Sequence, residues 1–154
     1  MRTIRAVKAT EWDLAMAMVW RVFLKFEADV YSSEGIENFR RFITADSLYK
    51  MFRQGEYVMF GCFDEADRVL GIISVRNRNH ISLLFVDENC QRQGIASALI
   101  KYLCDYLLTQ KGQTYTTVDS SPYAVEFYHK MGFTDTAKVQ KNSGIIYTPM
   151  KFFL

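Results

Sequence analysis

The sequence predicts a single α/β domain whose mixed central β-sheet carries helices on both faces. Three observations predict it. Apolar residues recur at helical spacing in the first third of the chain, short β-branched and aromatic runs follow, and helical and strand-like segments then alternate. An alternating order of this kind brings parallel pairing into a sheet and layers helices on its two faces. No repeat, linker or low-complexity run divides residues 1–154, so we expect one domain.

The helical periodicity comes first. Thr10, followed three residues later by Asp13, resembles a helix-opening cap, because both side chains can satisfy free amides of a first turn. Apolar residues then recur at helical spacing to about Asp29. Ser33 is a candidate cap for a second helix, and a further helical piece is expected over 46–53.

The middle of the chain has the character of strands. Segments 57–63 and 69–75 are rich in β-branched and aromatic residues and are joined by a polar turn, which is typical of a hairpin. The next turn contains Arg76 and Arg78, which we expect to be solvated. Segment 81–86 is short and almost continuously apolar, as in a central strand covered on both faces.

The period changes again near Gly94. A helix is expected from there until Gly112, then a strand over 114–118, a helix over 122–131 and a last strand over 145–153. The resulting order supports the mixed sheet.

Composition and charge exclude several classes of protein. The chain is 49% hydrophobic, with twelve Phe and nine Tyr, and such a composition excludes a disordered protein. The net charge of +2 and the dispersed basic residues rank nucleic-acid binding last among the functions. No apolar run approaches the roughly 20 residues that cross a bilayer, and no signal-peptide pattern opens the chain, so no membrane partner is expected.

The cysteines suggest neither a metal site nor a disulfide framework. Cys62, Cys90 and Cys104 are odd in number and lack C-x-x-C spacing, and the two histidines, His80 and His129, do not cluster with them. We therefore expect no metal. Unpaired thiols fit a reducing compartment, which predicts a cytoplasmic protein.

The segment from Val86 to Ser97 is the most informative. It runs from a buried strand through a polar turn directly into an amphipathic helix. The first amides of a helix have no internal partner, and with the positive end of the helix dipole they attract anions. Gly94 and Ala96 allow a bulky group near the backbone, while Arg92 adds charge. This pattern predicts a phosphate-binding turn, although one glycine alone also fits an ordinary helix start.

The residues Gln91-Arg92-Gln93-Gly94-Ile95-Ala96 resemble the Q/R-x-x-G-x-G/A signature of the GNAT N-acetyltransferase superfamily. The resemblance implies a GNAT-like, acyl-CoA N-acyltransferase fold in which this turn holds the pyrophosphate of acetyl-CoA and the preceding strand pairs with the pantetheine arm. The implied cofactor-binding residues are Leu84, Phe85, Val86, Gln91, Arg92, Gln93, Gly94, Ile95, Ala96 and Ser97.

A second stretch, from Asp119 to Phe133, is similar to the next motif of the same family. That motif is a strand ending in Asn or a near equivalent, a helix, and the closing pattern F-Y-x-x-x-G-F; here Asp119 stands where Asn is common. The match to the motif tyrosine makes Tyr128 the candidate general acid. Spacing alone would equally fit a core tyrosine on that helix.

The chemistry of amide formation also requires a neutral amine. An ammonium group of pKa near 10.4 leaves only about one molecule in 2,500 neutral at pH 7, so deprotonation needs help. The candidate bases are Glu27, Asp29, Tyr31 and His80, with direct attack and proton removal through water as the alternative. None of the four stands out in the sequence.

The predicted function is transfer of the acetyl group of acetyl-CoA to a primary amine by direct attack in a ternary complex. The alternative is a non-catalytic acyl-CoA-binding regulatory module. The expected partners are acetyl-CoA and an amine acceptor, and a homodimer is left open.

Overall fold

The computed structural model describes all residues, 1–154. Its five α-helices are α1 (Trp12–Phe26), α2 (Ser33–Thr44), α3 (Asp46–Arg53), α4 (Ile95–Lys111) and α5 (Val125–Lys130). Its eight strands are β1 (Thr3–Ala6), β2 (Val58–Phe63), β3 (Val69–Arg76), β4 (His80–Val86), β5 (Tyr115–Ser120), β6 (Thr134–Asp135), β7 (Gln140–Asn142) and β8 (Ile145–Phe153).

The strands form one mixed sheet in the order β1-β2-β3-β4-β5-β8-β6, and β7 adds to β8 as a short hairpin partner. Every neighbouring pair is antiparallel except β4 and β5, which are parallel. The predicted α/β class and the mixed sheet are confirmed.

The parallel pair separates almost at once. Only His80 with Thr117 and Ile81 with Val118 are in register, and beyond them β4 and β5 diverge. Asn79 secures the closed end, because its carbonyl accepts from the Thr117 amide (3.0 Å) and from the Thr116 hydroxyl (2.8 Å). The sheet therefore contains a gap that opens from residue 82 of β4 and residue 119 of β5.

A hydrophobic core lies on each face of the sheet. One joins α1, α2 and α3 to the sheet through residues such as Phe23, Ile43 and Leu83. The other packs α4 and α5 through residues such as Leu99 and Tyr128. The helices thus cover both faces, as predicted. No helix in the structure combines the length and the apolar character needed to span a membrane.

Three strands and two helices differ from the sequence-based predictions. Strand β1 and the pair β6 and β7 were not predicted, because these two- to four-residue strands are polar and mostly exposed. Helix α1 ends at Phe26, before the predicted Asp29, and a 3-10 turn over Ala28–Val30 follows. The predicted helix over 122–131 is a 3-10 turn at Pro122–Ala124 followed by the short α5.

Candidate active site

The turn that precedes α4 has an open, positively polarised end. Gly94 adopts a left-handed conformation (φ 80°) as the residue before the helix, and a β-carbon there would meet nothing within 4 Å. The first intrahelical amide bond runs from Ala98 to the Gly94 carbonyl, so the amides of residues 95–97 are left for an external acceptor. At the N-terminus of a 17-residue helix, such amides suit a phosphate group.

The side chains of this turn are divided between structure and solvent. Gln91 donates from Nε2 to the Val86 carbonyl at 2.6 Å, and Gln93 accepts a hydrogen bond from Arg2. Arg92 is exposed, at the left-handed φ of 58°. Of the three polar side chains in the motif, Arg92 is the one left unengaged and able to meet an anion.

Arg21 of α1 fixes the start of the turn. Its Nε and Nη2 atoms contact the carboxylates of Glu88 (2.7 Å) and Asp87 (2.8 Å). Asp87 also accepts from the Asn89 amide at 2.9 Å. The ion pairs offset two negative charges that would otherwise repel a pyrophosphate beside Gly94.

The register of β4 identifies which backbone groups face the gap. The Asp87 amide donates a hydrogen bond to the Leu70 carbonyl of β3 at 2.8 Å. In an antiparallel pair, alternate residues direct their backbone N–H and C=O groups towards the partner strand. Asp87 and Phe85 therefore direct theirs towards β3, whereas Leu84 and Val86 direct theirs towards the gap. Leu84 and Val86 are therefore better placed than Phe85 to pair with an extended ligand. The Val86 carbonyl already accepts from Gln91.

A cavity of about 380 Å³ occupies the gap. Its walls are the diverging ends of β4 and β5. Its flanks are the segment after α1, helix α2, and α5 with the segment before it, and the β7–β8 hairpin contributes Asn142, Ile145 and Tyr147. Its polar side chains include Glu27, Tyr31, Arg76, Asp119, Ser121 and Tyr128. Most of the lining is apolar, as in small-molecule sites with a few convergent polar groups.

Tyr128, the candidate general acid, lies in the wall of the cavity. Its ring is buried (4% exposed) against Phe127 and Phe133, and it lines the cavity. Burial raises its pKa, and the nearby charge of Glu27 raises it further. The hydroxyl thus stays protonated at neutral pH and can donate a proton into the gap.

Glu27 is the candidate base that the structure distinguishes from the other three. It follows the last residue of α1 and faces the cavity near Ser121, the residue after β5. Burial raises the pKa of this carboxyl to about 7, and the nearby Ser121 hydroxyl opposes that shift. A carboxylate with such a pKa is suited to accept a proton near neutral pH.

The other candidate bases fit less well. Asp29 is exposed and does not line the cavity. Tyr31 lines it, but burial and then the charge of Glu27 raise its pKa, so its phenol stays protonated. His80 lies at the closed end of the gap, where Nδ1 contacts the Thr117 hydroxyl (2.7 Å) and Nε2 lies 3.5 Å from Asp119. Burial, opposed by the charge of Asp119, lowers the pKa of His80.

The prediction that Arg76 is solvated was wrong. Arg78 is exposed, but Arg76, at the end of β3, is only partly exposed and lines the cavity. Its Nε atom is buried without a hydrogen-bond partner. The composition of the turn could not show this difference. Arg76 is still paired within the sheet, with His80 of β4, whereas Arg78 lies in the turn beyond it.

The structure contains no group of three or more His, Cys, Asp or Glu side chains that could hold a metal ion. All three cysteines are free thiols.

Comparison with known proteins places these features in a family context. The sequence family described as acetyltransferase (GNAT) domain matches residues 27–154. A curated relative, the uncharacterized N-acetyltransferase YafP of Escherichia coli (strain K12), is 40% identical over 72 residues. That alignment covers 47% of this chain and 43% of the relative, so it spans less than half of either protein.

Solved structures share the whole fold at low sequence identity. A GCN5-related N-acetyltransferase from Rhodopseudomonas palustris superposes with a TM-score of 0.83 at 21% identity, covering 100% of this chain and 96% of that one. PaiA N-acetyltransferase from Thermoplasma acidophilum, solved with coenzyme A, gives 0.79 at 16%, covering 100% and 99%. Spermidine N-acetyltransferase from Vibrio cholerae, solved with CoA and spermine, gives 0.70 at 16%, covering 99% and 95%.

Proposed function

We propose, from the premise that this chain belongs to the GNAT acetyltransferase family, that it transfers the acetyl group of acetyl-CoA to a primary amine by direct attack in a ternary complex. One observation carries the proposal. Glu27, with a pKa of about 7, and the protonated hydroxyl of Tyr128 line the same cavity, close enough for the charge of one to raise the pKa of the other. A base and an acid thus flank one gap.

The donor would be held by the chain's own backbone. The free amides of residues 95–97 and the exposed Arg92 can bind a pyrophosphate, and the open space at Gly94 lets it approach. The gap-facing edge of β4 at Leu84 and Val86 can pair with an extended amide-containing arm. Acetyl-CoA supplies the thioester, and these contacts direct it towards Tyr128.

The two cavity groups would then divide the proton transfers. Glu27 takes the proton that the ammonium must lose, so that the neutral amine attacks the thioester carbon. The C–N bond forms and the C–S bond breaks, and Tyr128 gives its proton to the departing sulfur, whose thiol has a pKa near 8.5. The nitrogen loses its second proton as the amide forms, and this proton restores the Tyr128 hydroxyl, while Glu27 releases the first proton to solvent. The products are an acetylated amine and free CoA.

The test is a thiol-release assay with acetyl-CoA and a panel of primary amines, run beside calorimetry of CoA binding. Amine-dependent release of CoA, with formation of the acetylated amine, supports the proposal. Binding of CoA without turnover of any amine favours the non-catalytic acyl-CoA-binding module instead. Absence of both binding and turnover contradicts both functions.

The charges of the cavity limit the amines that can serve as the acceptor. Structures of spermidine N-acetyltransferase share the fold, which makes polyamines one class to include in the panel. The cavity of this chain, however, contains a cation as well as its carboxylates, and that cation bears on which amines it accepts.

A further inference from the structure

Arg76 introduces a positive charge at the closed end of the cavity. It is paired with His80 across β3 and β4, next to the two residues at which β4 still pairs with β5. Its guanidinium carbon lies 5.7 Å from the ring centroid of Phe42, which also lines the cavity. The side chain is therefore at the cavity wall and not in bulk solvent.

No group of the protein neutralises this charge. Arg76 forms no ion pair within 4.0 Å, and the other arginines without one, Arg2, Arg53, Arg78 and Arg92, are all exposed to solvent, whereas Arg76 lines the cavity. Its buried Nε is the one fully buried side-chain nitrogen or oxygen in the structure that lacks a hydrogen-bond partner. Buried polar atoms without a hydrogen-bond partner are rare in folded proteins, so this guanidinium is a candidate to bind a ligand.

Neither carboxylate of the cavity forms an ion pair with Arg76. Asp119 lies 3.5 Å from the His80 ring, and Glu27 lies near Ser121 at the open end of the gap. Ser121 is four residues beyond Thr117, the partner of His80, which is about 13 Å of extended strand. The closed end thus holds Arg76, which has no ion-pair partner, together with Asp119, while Glu27 lies towards the open end.

We propose that Arg76 selects acceptors that carry a carboxylate several bonds away from the amine that is acetylated. The guanidinium binds the carboxylate at the closed end, while the amine lies beside Glu27. This inference rests on the proposed acetyl transfer and adds the class of acceptor to it. It also disfavours polyamines, because a second or third ammonium group would lie against the guanidinium with like charge.

The test compares amines that differ only in the carboxylate. The probes are 5-aminopentanoate against pentylamine, lysine against cadaverine, and spermidine as the polycation. Wild-type protein is expected to show a kcat/KM about ten- to a hundredfold higher for each carboxylate-bearing member, the range for one hydrogen-bonded charge pair. Equal or lower values for both carboxylate-bearing members would overturn the proposal.

The variant is Arg76→Met, which keeps a long side chain and removes the charge. It is expected to abolish the preference, so that the ratio of kcat/KM for 5-aminopentanoate to that for pentylamine falls to about one, while CoA affinity stays close to wild type. Arg78→Met is the matched control, because it removes the same charge from the same turn outside the cavity. A preference that survives in Arg76→Met, or that is lost equally in Arg78→Met, would overturn the proposal.

A binding measurement separates this inference from the function on which it rests. Calorimetry of 5-aminopentanoate on the CoA-bound protein does not require turnover. Binding that Arg76→Met removes supports the carboxylate site even if no amine is acetylated, an outcome that would contradict only the acetyl transfer. Absence of binding to the wild type would overturn the carboxylate site, whatever the turnover of the uncharged amines.

Discussion

Gly35, in the first turn of α2, packs directly against the backbone of Gly144, in the turn between β7 and β8. A β-carbon at Gly35 would clash with the Gly144 carbonyl group. The same carbonyl accepts from the Ser32 amide (3.4 Å), and Asn38 donates to the Ser143 carbonyl (3.1 Å). This backbone contact holds the hairpin over the cavity.

Gly35→Ala should therefore displace the hairpin. Alanine favours a helix over glycine by about 1 kcal/mol, but the added methyl meets backbone that cannot rotate away, so we expect a net loss of about 1–3 kcal/mol in the free energy of unfolding. The KM for the amine should rise more than the KM for acetyl-CoA. Chemical denaturation and steady-state kinetics measure both. Glu34→Ala, in the same turn but exposed, is the control; equal effects of the two substitutions would contradict the role of the contact.

Tyr128→Phe removes the proposed proton donor and keeps the ring. Turnover should fall by about 10²–10⁴-fold, the usual contribution of general acid catalysis. CoA affinity and thermal stability should change little, since the aromatic contacts with Phe127 and Phe133 remain. Tyr123→Phe, on an exposed tyrosine outside the cavity, controls for the loss of a phenol. Near-wild-type turnover in Tyr128→Phe would reduce this residue to a packing role.

Glu27 should impose a pH dependence on the reaction. If it is the base, kcat/KM rises about tenfold per pH unit up to its pKa of about 7 and is level above it. Glu27→Gln should remove this inflection and lower the plateau, whereas Glu126→Gln, on an exposed glutamate of α5, should leave the profile intact. An unchanged inflection in Glu27→Gln would assign it to another group.

The same carboxyl affects stability in a defined direction. Its folded-state pKa lies above the ordinary value of 4.5, so its contribution is fully present below about pH 4.5 and is lost as the pH rises through about 7. Glu27→Gln should accordingly be more stable than wild type at pH 8, by at most roughly 2–3 kcal/mol, and nearly equal to it at pH 4. Denaturation at both pH values measures the difference, and a gain confined to pH 4 would contradict it.

Gly94→Asp should weaken acetyl-CoA binding severely, because it places a carboxylate beside the amides of residues 95–97. Open space surrounds the site, so the side chain itself causes no clash. Gly112→Asp is a close control, because Gly112 ends the same helix in the same left-handed conformation and also in open space. Calorimetry should show the loss for Gly94→Asp alone. Unchanged affinity would move the donor site away from this turn.

Activity should survive prolonged chelation. The side chains of the cavity offer acid, base and charge, and no cluster of ligand spacing accompanies them. Turnover after dialysis against a chelator should equal that of untreated protein. Loss of turnover that zinc restores would show that a metal takes part.

The sequence was most informative where local pattern and function coincide. Gly94 and Tyr128 were identifiable because a strand, a turn and a helix follow one another in contiguous segments. Strand β1 was not, since its four residues become a strand only by pairing with β2, more than fifty residues later. The strands around residues 134–142 are likewise defined by β8 and not by any alternation of their own.

The roles of side chains with unusual surroundings could not be predicted from the sequence for the same reason. Glu27 was one of four equal candidates, because its high pKa arises from burial against the end of β5, far along the chain. Gln91 fits a phosphate-binding motif, yet its amide is used by the Val86 carbonyl. Such assignments depend on three-dimensional neighbours that no spacing in the sequence encodes.

The lining of the cavity comes from both sides of the sheet, with Glu27 and Phe39 on the face of α1 and α2, and Ala124 and Tyr128 on the face of α5. Because residues from both faces line the cavity, acetyl-CoA and the amine can reach it from opposite sides of the sheet. The acetylated amine could then leave while CoA is still bound. We therefore expect CoA, the last product released, to inhibit competitively against acetyl-CoA, and the acetylated amine to give mixed inhibition against it. The order of product release would then follow from two strands that diverge after two paired residues.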